Sequence, residues 1–188
     1  MRFQLIVNEQ VILKLRDASD AAAVFALVDH NRDYLKQWLP WVDSTYSPKD
    51  SEEYIAACTK GFETGASADF GIFYKGTLVG SMGFHEYSKD SGRAAIGYWL
   101  SADFQGLGII TAGVQKMLEY GFGELGLNRI EIECATTNDK SRAIPERLGF
   151  TLEGTLRQKE KINGGYQDGF IFSMLKDEWL EKKKTTAK

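Results

Sequence analysis

Hydrophobic and polar positions along this chain change period several times, and each change marks an element. Phe3 to Val7 and Val11 to Leu15 form paired strands around the turn-prone Asn8 and Glu9, and Asp17 then stands where a helix cap belongs. Ala21, Val24, Phe25, Val28 and Leu35 make an apolar helical stripe that continues toward Trp38 and Leu39 until Pro40 ends it. Pro48 opens a second helix region, in which Tyr54, Ile55, Cys58 and Phe62 share a face and Gly61 to Gly65 bring the stop. Three strands follow, Asp69 to Tyr74, Thr77 to Tyr87 and Arg93 to Ser101. The first two are joined tightly at Lys75 and Gly76, which predicts an antiparallel meander. Ala112, Val114, Met117, Leu118, Gly121 and Phe122 then recur at helical spacing. Arg129 to Ala135 sets Ile130, Ile132 and Cys134 against Arg129, Glu131 and Glu133, a strand with unlike faces. Asn138 to Leu148 is a helix stopped by Gly149, and a long strand from Phe150 returns through Asn163, Gly164 and Gly165 into Tyr166 to Met174. With no internal repeat and no dividing linker, the order predicts one compact mixed α/β domain over residues 1–188.

Composition narrows the class. Hydrophobic residues make up 43% of 188, enough for a sizeable core. No apolar run approaches the roughly 20 residues that cross a bilayer, and Met1 to Val7 lacks the basic flank and apolar stretch of a signal, so the expectation is a cytoplasmic protein without a membrane partner. A net charge of −3 leaves no electrostatic footprint for direct nucleic-acid binding. Cys58 and Cys134 stand apart from each other and from clustered histidines, which indicates neither a disulfide framework nor a metal site. The basic end of the chain, Lys182 to Lys184 and Lys188 after Trp179 and Leu180, is expected to be a solvated, fraying helix terminus.

The most informative stretch is Gln105, Gly106, Leu107, Gly108, Ile109, Ile110 and Thr111, which follows the strand run Ala94 to Leu100 and opens the next helix. At a helix N-terminus the first N–H groups lack internal acceptors, the dipole adds about half a positive charge, and glycines let phosphate oxygens approach the backbone. A pyrophosphate suits that cradle. A plain tight turn is the alternative, and a dinucleotide-binding turn is another. The latter wants a third glycine where Thr111 stands and an acid about twenty residues on, where Glu119, Glu124 and Glu131 fit poorly.

Several further stretches accompany the loop: Ile96 to Leu100 before it, Phe104 to Ile109 within it, Asn138 through Ser141, Arg147 to Phe150, Glu153 with Gly154, and Asn163 with Gly164 and Asp168. On these the chain resembles the GNAT N-acetyltransferase family along nearly its whole length, and within it the ribosomal-protein serine/alanine N-terminal acetyltransferase group. The resemblance implies a mostly antiparallel twisted sheet flanked by helices, with a splay between the central strands. It implies acetyl-CoA as donor, an amine acceptor such as a protein N-terminus, and a possible homodimer. The family's loop pattern is met at Gln105 and Gly108 but departs at Ile110, which holds a small-residue position; its N–H remains usable if its side chain points away from the cofactor.

The resemblance assigns roles by position. Gln105 to Thr111 would hold the pyrophosphate, and Leu100 would offer its N–H to the thioester carbonyl. Asn138 would contact the pantetheine end or cap its helix, two roles that do not exclude each other. Ser141 would protonate the departing thiolate. The family's usual carboxylate on the strand Ala94 to Gly97 is missing, so Glu160, flanked by Lys159 and Lys161, is the expected base, with a solvated charged strand as its bland alternative and His85, Glu86, Glu131 and Glu133 in reserve. Trp38, Trp41 and Tyr46 would wall the acceptor site or pack in the core, and His30 belongs at the surface. Neutralising an α-amine at pH 7 costs about 1 kcal/mol against about 4.6 for lysine, so a single modest base favours the α-amine and direct attack, with no role for Cys134 as a nucleophile. A small-molecule amine acetyltransferase and a non-catalytic acetyl-CoA-binding protein are the competing expectations.

Overall fold

The computed structural model describes residues 2–186. Strands β1 (Gln4–Ile6) and β2 (Val11–Lys14) make a hairpin whose turn is held by the Asn8 side chain, which accepts from the N–H groups of Gln10 and Val11, both at 2.9 Å. Asp17 caps a short turn, accepting from Ser19 N at 2.8 Å, and helix α1 (Ala21–His30) follows. The apolar stripe predicts one helix onward to Leu35, but the helix breaks at Asn31 before the short α2 (Arg32–Leu35). The cause is tertiary. Asn31 is buried, and its side chain donates to Leu27 O behind it and accepts from the Ser101 hydroxyl and the Ala102 N–H ahead of it.

A turn over Pro40–Ser44 leads to α3 (Pro48–Thr64), which Ser47 and Asp50 cap and left-handed Gly65 ends. The meander appears as β3 (Ala68–Tyr74), β4 (Thr77–Ser88) and β5 (Arg93–Leu100). Helix α4 (Ile109–Glu119) widens into a π turn over Tyr120–Glu124 before β6 (Arg129–Ala135), and α5 (Asp139–Leu148) precedes the long hairpin β7 (Thr151–Ile162) and β8 (Gly165–Leu175). The last helix, α6 (Lys176–Thr186), docks Trp179 on Phe122 at 5.3 Å between ring centroids. Its basic face is less free than expected, since Lys183 pairs with Glu119 at 3.3 Å and lies 4.5 Å from the Trp179 ring centre; Lys188 lies outside the described residues. None of the described helices is long and apolar enough to cross a membrane.

The eight strands of the described residues join one sheet in the order β1-β2-β3-β4-β5-β6-β8-β7, antiparallel throughout except between β5 and β6. One face of the sheet builds the main core with α4, through residues such as Phe84, Ile96, Met117 and Ile132. On the other face α1, α2 and α3 gather Val24, Val28, Leu35 and Ile55 over Leu78 and Trp99. Strand alternation divides β5 between these cores: Ile96 and Leu100 serve the first, and Gly97 and Trp99 face the second.

Candidate active site

The parallel pairing of β5 with β6 runs only through Arg93↔Arg129, Ala94↔Ile130 and Ala95↔Glu131. Among the described residues no ladder joins Ile96 to Leu100 with β6, and the central strands part there. Ser101 N donates to Val79 O on β4 at 2.8 Å. By alternation the Leu100 N–H, one residue earlier, points away from β4 and into the splay. Unpaired backbone groups in such a gap are obligatory hydrogen-bonding surface, matched to the amides of a pantetheine arm.

Gly106 and Gly108 close the far end of the gap with φ of 77° and 72°, a left-handed conformation that L side chains adopt only with strain. A Cβ at either glycine would meet nothing within 4 Å, so open space lies before the loop. Gly108 is the N-cap of α4 and supplies no side-chain cap, which leaves the N–H groups of Ile109, Ile110 and Thr111 for an outside acceptor. Ile109 is buried, and Ile110 packs its side chain against the main core while Leu107 stands exposed. Two cations from α5 flank the loop: Lys140 Nζ donates to Gln105 Oε1 at 2.7 Å, and Arg147 donates to Thr111 Oγ1 at 3.0 Å. Neither stands out as a ligand in the sequence, because the topology alone brings α5 against this loop. Donors, dipole and added positive charge together fit the phosphates of acetyl-CoA.

Asn138 caps α5, its Oδ1 accepting from Ser141 N at 3.1 Å, and thereby fixes the first turn in which Ser141 sits. Tyr98, which the sequence marked only as part of a motif, reaches from β5 to that turn: its hydroxyl lies 3.1 Å from Ser141 O and 3.2 Å from Ser141 Oγ. Burial holds the Tyr98 phenol well above the ordinary tyrosine range, partly offset by the bond to Ser141. Tyr98 therefore remains a donor. Burial likewise pushes the Cys134 thiol up to about 11, against the opposing pull of Arg142, so Cys134 stays protonated and is no nucleophile at neutral pH.

The expected bases divide by their partners. Glu131 is buried against Arg129 Nε at 2.6 Å and Arg93 at 3.5 Å. Glu133 is paired with Lys159 Nζ at 2.7 Å. Glu86 and His85 are exposed near the end of β4, and Glu160 is exposed on β7. Between Leu156↔Gly169 and Glu160↔Gln167, residues Arg157, Gln158 and Lys159 bulge out opposite Asp168, whose Oδ1 accepts from Gln158 N at 2.7 Å. Beyond the bulge, Glu160 pairs with Gln167 and alternates onto the same side as the buried Ile162. The hairpin tip then reaches α2, where Asn163 Nδ2 lies 3.4 Å from Lys36 O. Arg32 anchors the opposite wall by donating to Val42 O at 2.8 Å and Thr45 O at 2.7 Å. That wall carries Trp41, 6.1 Å from the Trp99 ring centre, with Trp38 half-buried and Tyr46 77% exposed. His30 lies at the surface, 3.1 Å from Asp103. Among the described residues no group of His, Cys, Asp and Glu is arranged to hold a metal ion.

A family model described as an acetyltransferase (GNAT) domain matches residues 10–151. The putative ribosomal N-acetyltransferase YdaF of Bacillus subtilis (strain 168) is 36% identical over 182 residues, covering 96% of this chain and 100% of its own. The ribosomal-protein-serine acetyltransferase of Escherichia coli (strain K12) is 29% identical, over 91% of this chain and 96% of its own. A RimL ribosomal alpha-N-protein acetyltransferase solved in complex with coenzyme A superposes with a TM-score of 0.90 at 28% identity, over 94% of this chain and 99% of that one.

Proposed function

The chain belongs to the GNAT acetyltransferase family and moves an acetyl group from acetyl-CoA to an amine; we propose that this amine is the N-terminal α-amine of a protein, a Ser- or Ala-terminated ribosomal protein above all. The observation that carries the choice is the state of the carboxylates on the acceptor face. Glu131 is paired with Arg129 and Arg93, and Glu133 with Lys159, which among the described residues leaves Glu86 and the proposed base Glu160 as the carboxylates of this set without a direct ion pair, too few to hold the several charges of a polyamine and still serve as base. Ionisation points the same way. At pH 7 the neutral fraction of an α-amine exceeds that of lysine by about 300-fold. The open face with Trp41 and Tyr46 suits a peptide chain, and the names of the relatives support a ribosomal acceptor.

Acetyl-CoA supplies a thioester whose carbonyl carbon the amine attacks. Gln105 to Thr111 hold its phosphates through backbone N–H groups, with Lys140 and Arg147 adding charge from α5. The Leu100 N–H donates to the carbonyl oxygen as charge develops there. Glu160 receives the proton shed by the amine. Ser141, held by Tyr98 and by the Asn138 cap, gives its hydroxyl proton to the departing thiolate. Asn138 commits Oδ1 to the cap, and its amide donors serve the pantetheine. A single domain over 1–188 is supported by β8 lying between β6 and β7, which makes the hairpin part of the same sheet. We place the protein in the cytoplasm, where the free thiols of Cys58 and Cys134 are at home.

Thiol release from acetyl-CoA tests the acceptor, with Ser- and Ala-terminated peptides set against N-blocked lysine peptides and spermidine. The α-amine peptides should show the higher kcat/KM by at least about 10-fold, well inside the ionisation advantage. A faster reaction with lysine or spermidine would overturn the reading.

A further inference from the structure

We infer that His85 is a second proton acceptor for the attacking amine, working from the β4 wall of the acceptor face as Glu160 works from the hairpin wall. The inference rests on the proposed transfer to an α-amine. His85 pairs with Ala95 in the sheet, yet its ring leans over the neighbouring glycine: its Cε1 and Nδ1 would lie 3.1 and 3.2 Å from a Cβ placed on Gly97. Gly97 pairs with Gly83, so two side chains are missing from adjacent strands at one level of the sheet. The imidazole fills part of the hollow they leave. It does so on the Trp99 face, beside the splay and about 10 Å along β5 from Leu100. An attacking nitrogen and one water span that distance.

The groups around the hollow explain why His85 stands apart. From β3, Asp69 reaches over Gly83, its Oδ2 2.8 Å from where a Cβ would stand, but it is tied to Arg16 and to Ser81 Oγ at 3.1 Å. Across the splay, the register Ala95↔Glu131 sets Glu133 level with Gly97, and both of these β6 carboxylates carry cations. Lys159 and Glu160 come from β7, and Glu86 follows His85 in a left-handed residue with φ of 49° that turns β4 aside. Among the described residues the His85 side chain has no ion pair or hydrogen bond. A carboxylate whose lone pairs are engaged by a cation has little left for an ammonium proton, whereas an imidazole without a partner keeps a ring nitrogen open to one.

The step balances without a further reactant. The acceptor's ammonium gives one proton to the imidazole, and the neutral nitrogen forms the C–N bond as the C–S bond breaks. After attack the second nitrogen proton passes to Glu160 and from there through solvent to Ser141, which has given its own proton to the thiolate, and His85 returns its proton to solvent.

His85→Gln is expected to lower kcat at pH 7 by about 10- to 100-fold, with the acetyl-CoA KM unchanged, because a positioned base contributes on that order or more. The deficit should shrink above about pH 8, where the α-amine is already neutral. Free imidazole should restore rate to His85→Ala. The chain holds two histidines, so NMR of the unaltered protein supplies a readout independent of turnover: a Ser-terminated peptide should shift the His85 ring signals and leave those of His30 in place. His85→Gln with the wild-type pH–rate profile, or His85 signals unmoved by peptide, would overturn the inference. Either result removes His85 alone. A wild-type protein that acetylates no amine would instead remove the proposed function and this role with it.

Discussion

Replacing Asn31 by Ala should damage both stability and acetyl-CoA binding, although Asn31 touches neither the cofactor loop's glycines nor the acceptor face. Its side chain is a three-way joint: Nδ2 donates to Leu27 O at 2.9 Å, and Oδ1 accepts from Ala102 N at 2.9 Å and Ser101 Oγ at 3.2 Å. Asn31 is 4% exposed and Ser101 1%, so truncation strands the Ser101 hydroxyl away from water, while the exposed Ala102 recovers solvent. One orphaned buried group with the lost bonds around it amounts to about 2–3 kcal/mol. At about 2–4 °C per kcal/mol for a chain of this size, Tm should fall by about 4–12 °C. The same joint fixes where β5 ends and the loop toward Gly106 begins, so the acetyl-CoA Kd should rise about 10-fold, or about 1.4 kcal/mol. Urea unfolding and calorimetric titration measure the two effects. His30→Ala, one residue earlier and confined to an exposed contact with Asp103, is the control and should change stability by less than about 0.5 kcal/mol. If Asn31→Ala matches that control in both assays, the joint has no such role.

Gly108→Ala should fold with only the strain of a left-handed alanine, about 1–2 kcal/mol, since its Cβ meets nothing in the free protein, yet acetyl-CoA affinity measured by calorimetry should fall markedly as the methyl enters the cradle. The Arg129 guanidinium, with help from Ser173, holds the Glu153 carboxyl at about 2, well below its ordinary range. A depressed carboxylate stabilises the fold above its unfolded value near 4.3 and loses that contribution as pH falls toward 2. Acid unfolding of Glu153→Gln should therefore be flatter than wild type between about pH 4.3 and 2; parallel curves would show the pair to be inert. Cys134→Ala should retain its thiol-release rate, and a collapse to background without unfolding would signal an acyl-enzyme instead.

The strands and helices were legible wherever one face is buried, because burial imposes a period. The β6 alternation of Ile130, Ile132 and Cys134 against Glu131 and Glu133 is the clearest case. The break at Asn31 was not legible, since the apolar stripe runs on through Leu35 and the cause lies on β5, far away in sequence. The splay is implied only by the family resemblance, since no local pattern announces that Ile96 to Leu100 lack a partner on β6. The phosphate loop was visible as glycines before a helix, but its flanking cations Lys140 and Arg147 depend on how α5 folds back. For the same reason the sequence shows Tyr98 as part of a motif and not as the partner of Ser141, and nothing in the spacing of His85 and Gly97 reveals that one side chain fills the space above the other.

An amide NMR titration of the full chain with acetyl-CoA puts the central claim to its most direct test. The largest shifts are expected at Gly106 to Thr111 and at Leu100, joining the uncapped end of α4 to the open edge of β5. Shifts concentrated elsewhere, or none at saturating acetyl-CoA, would contradict it.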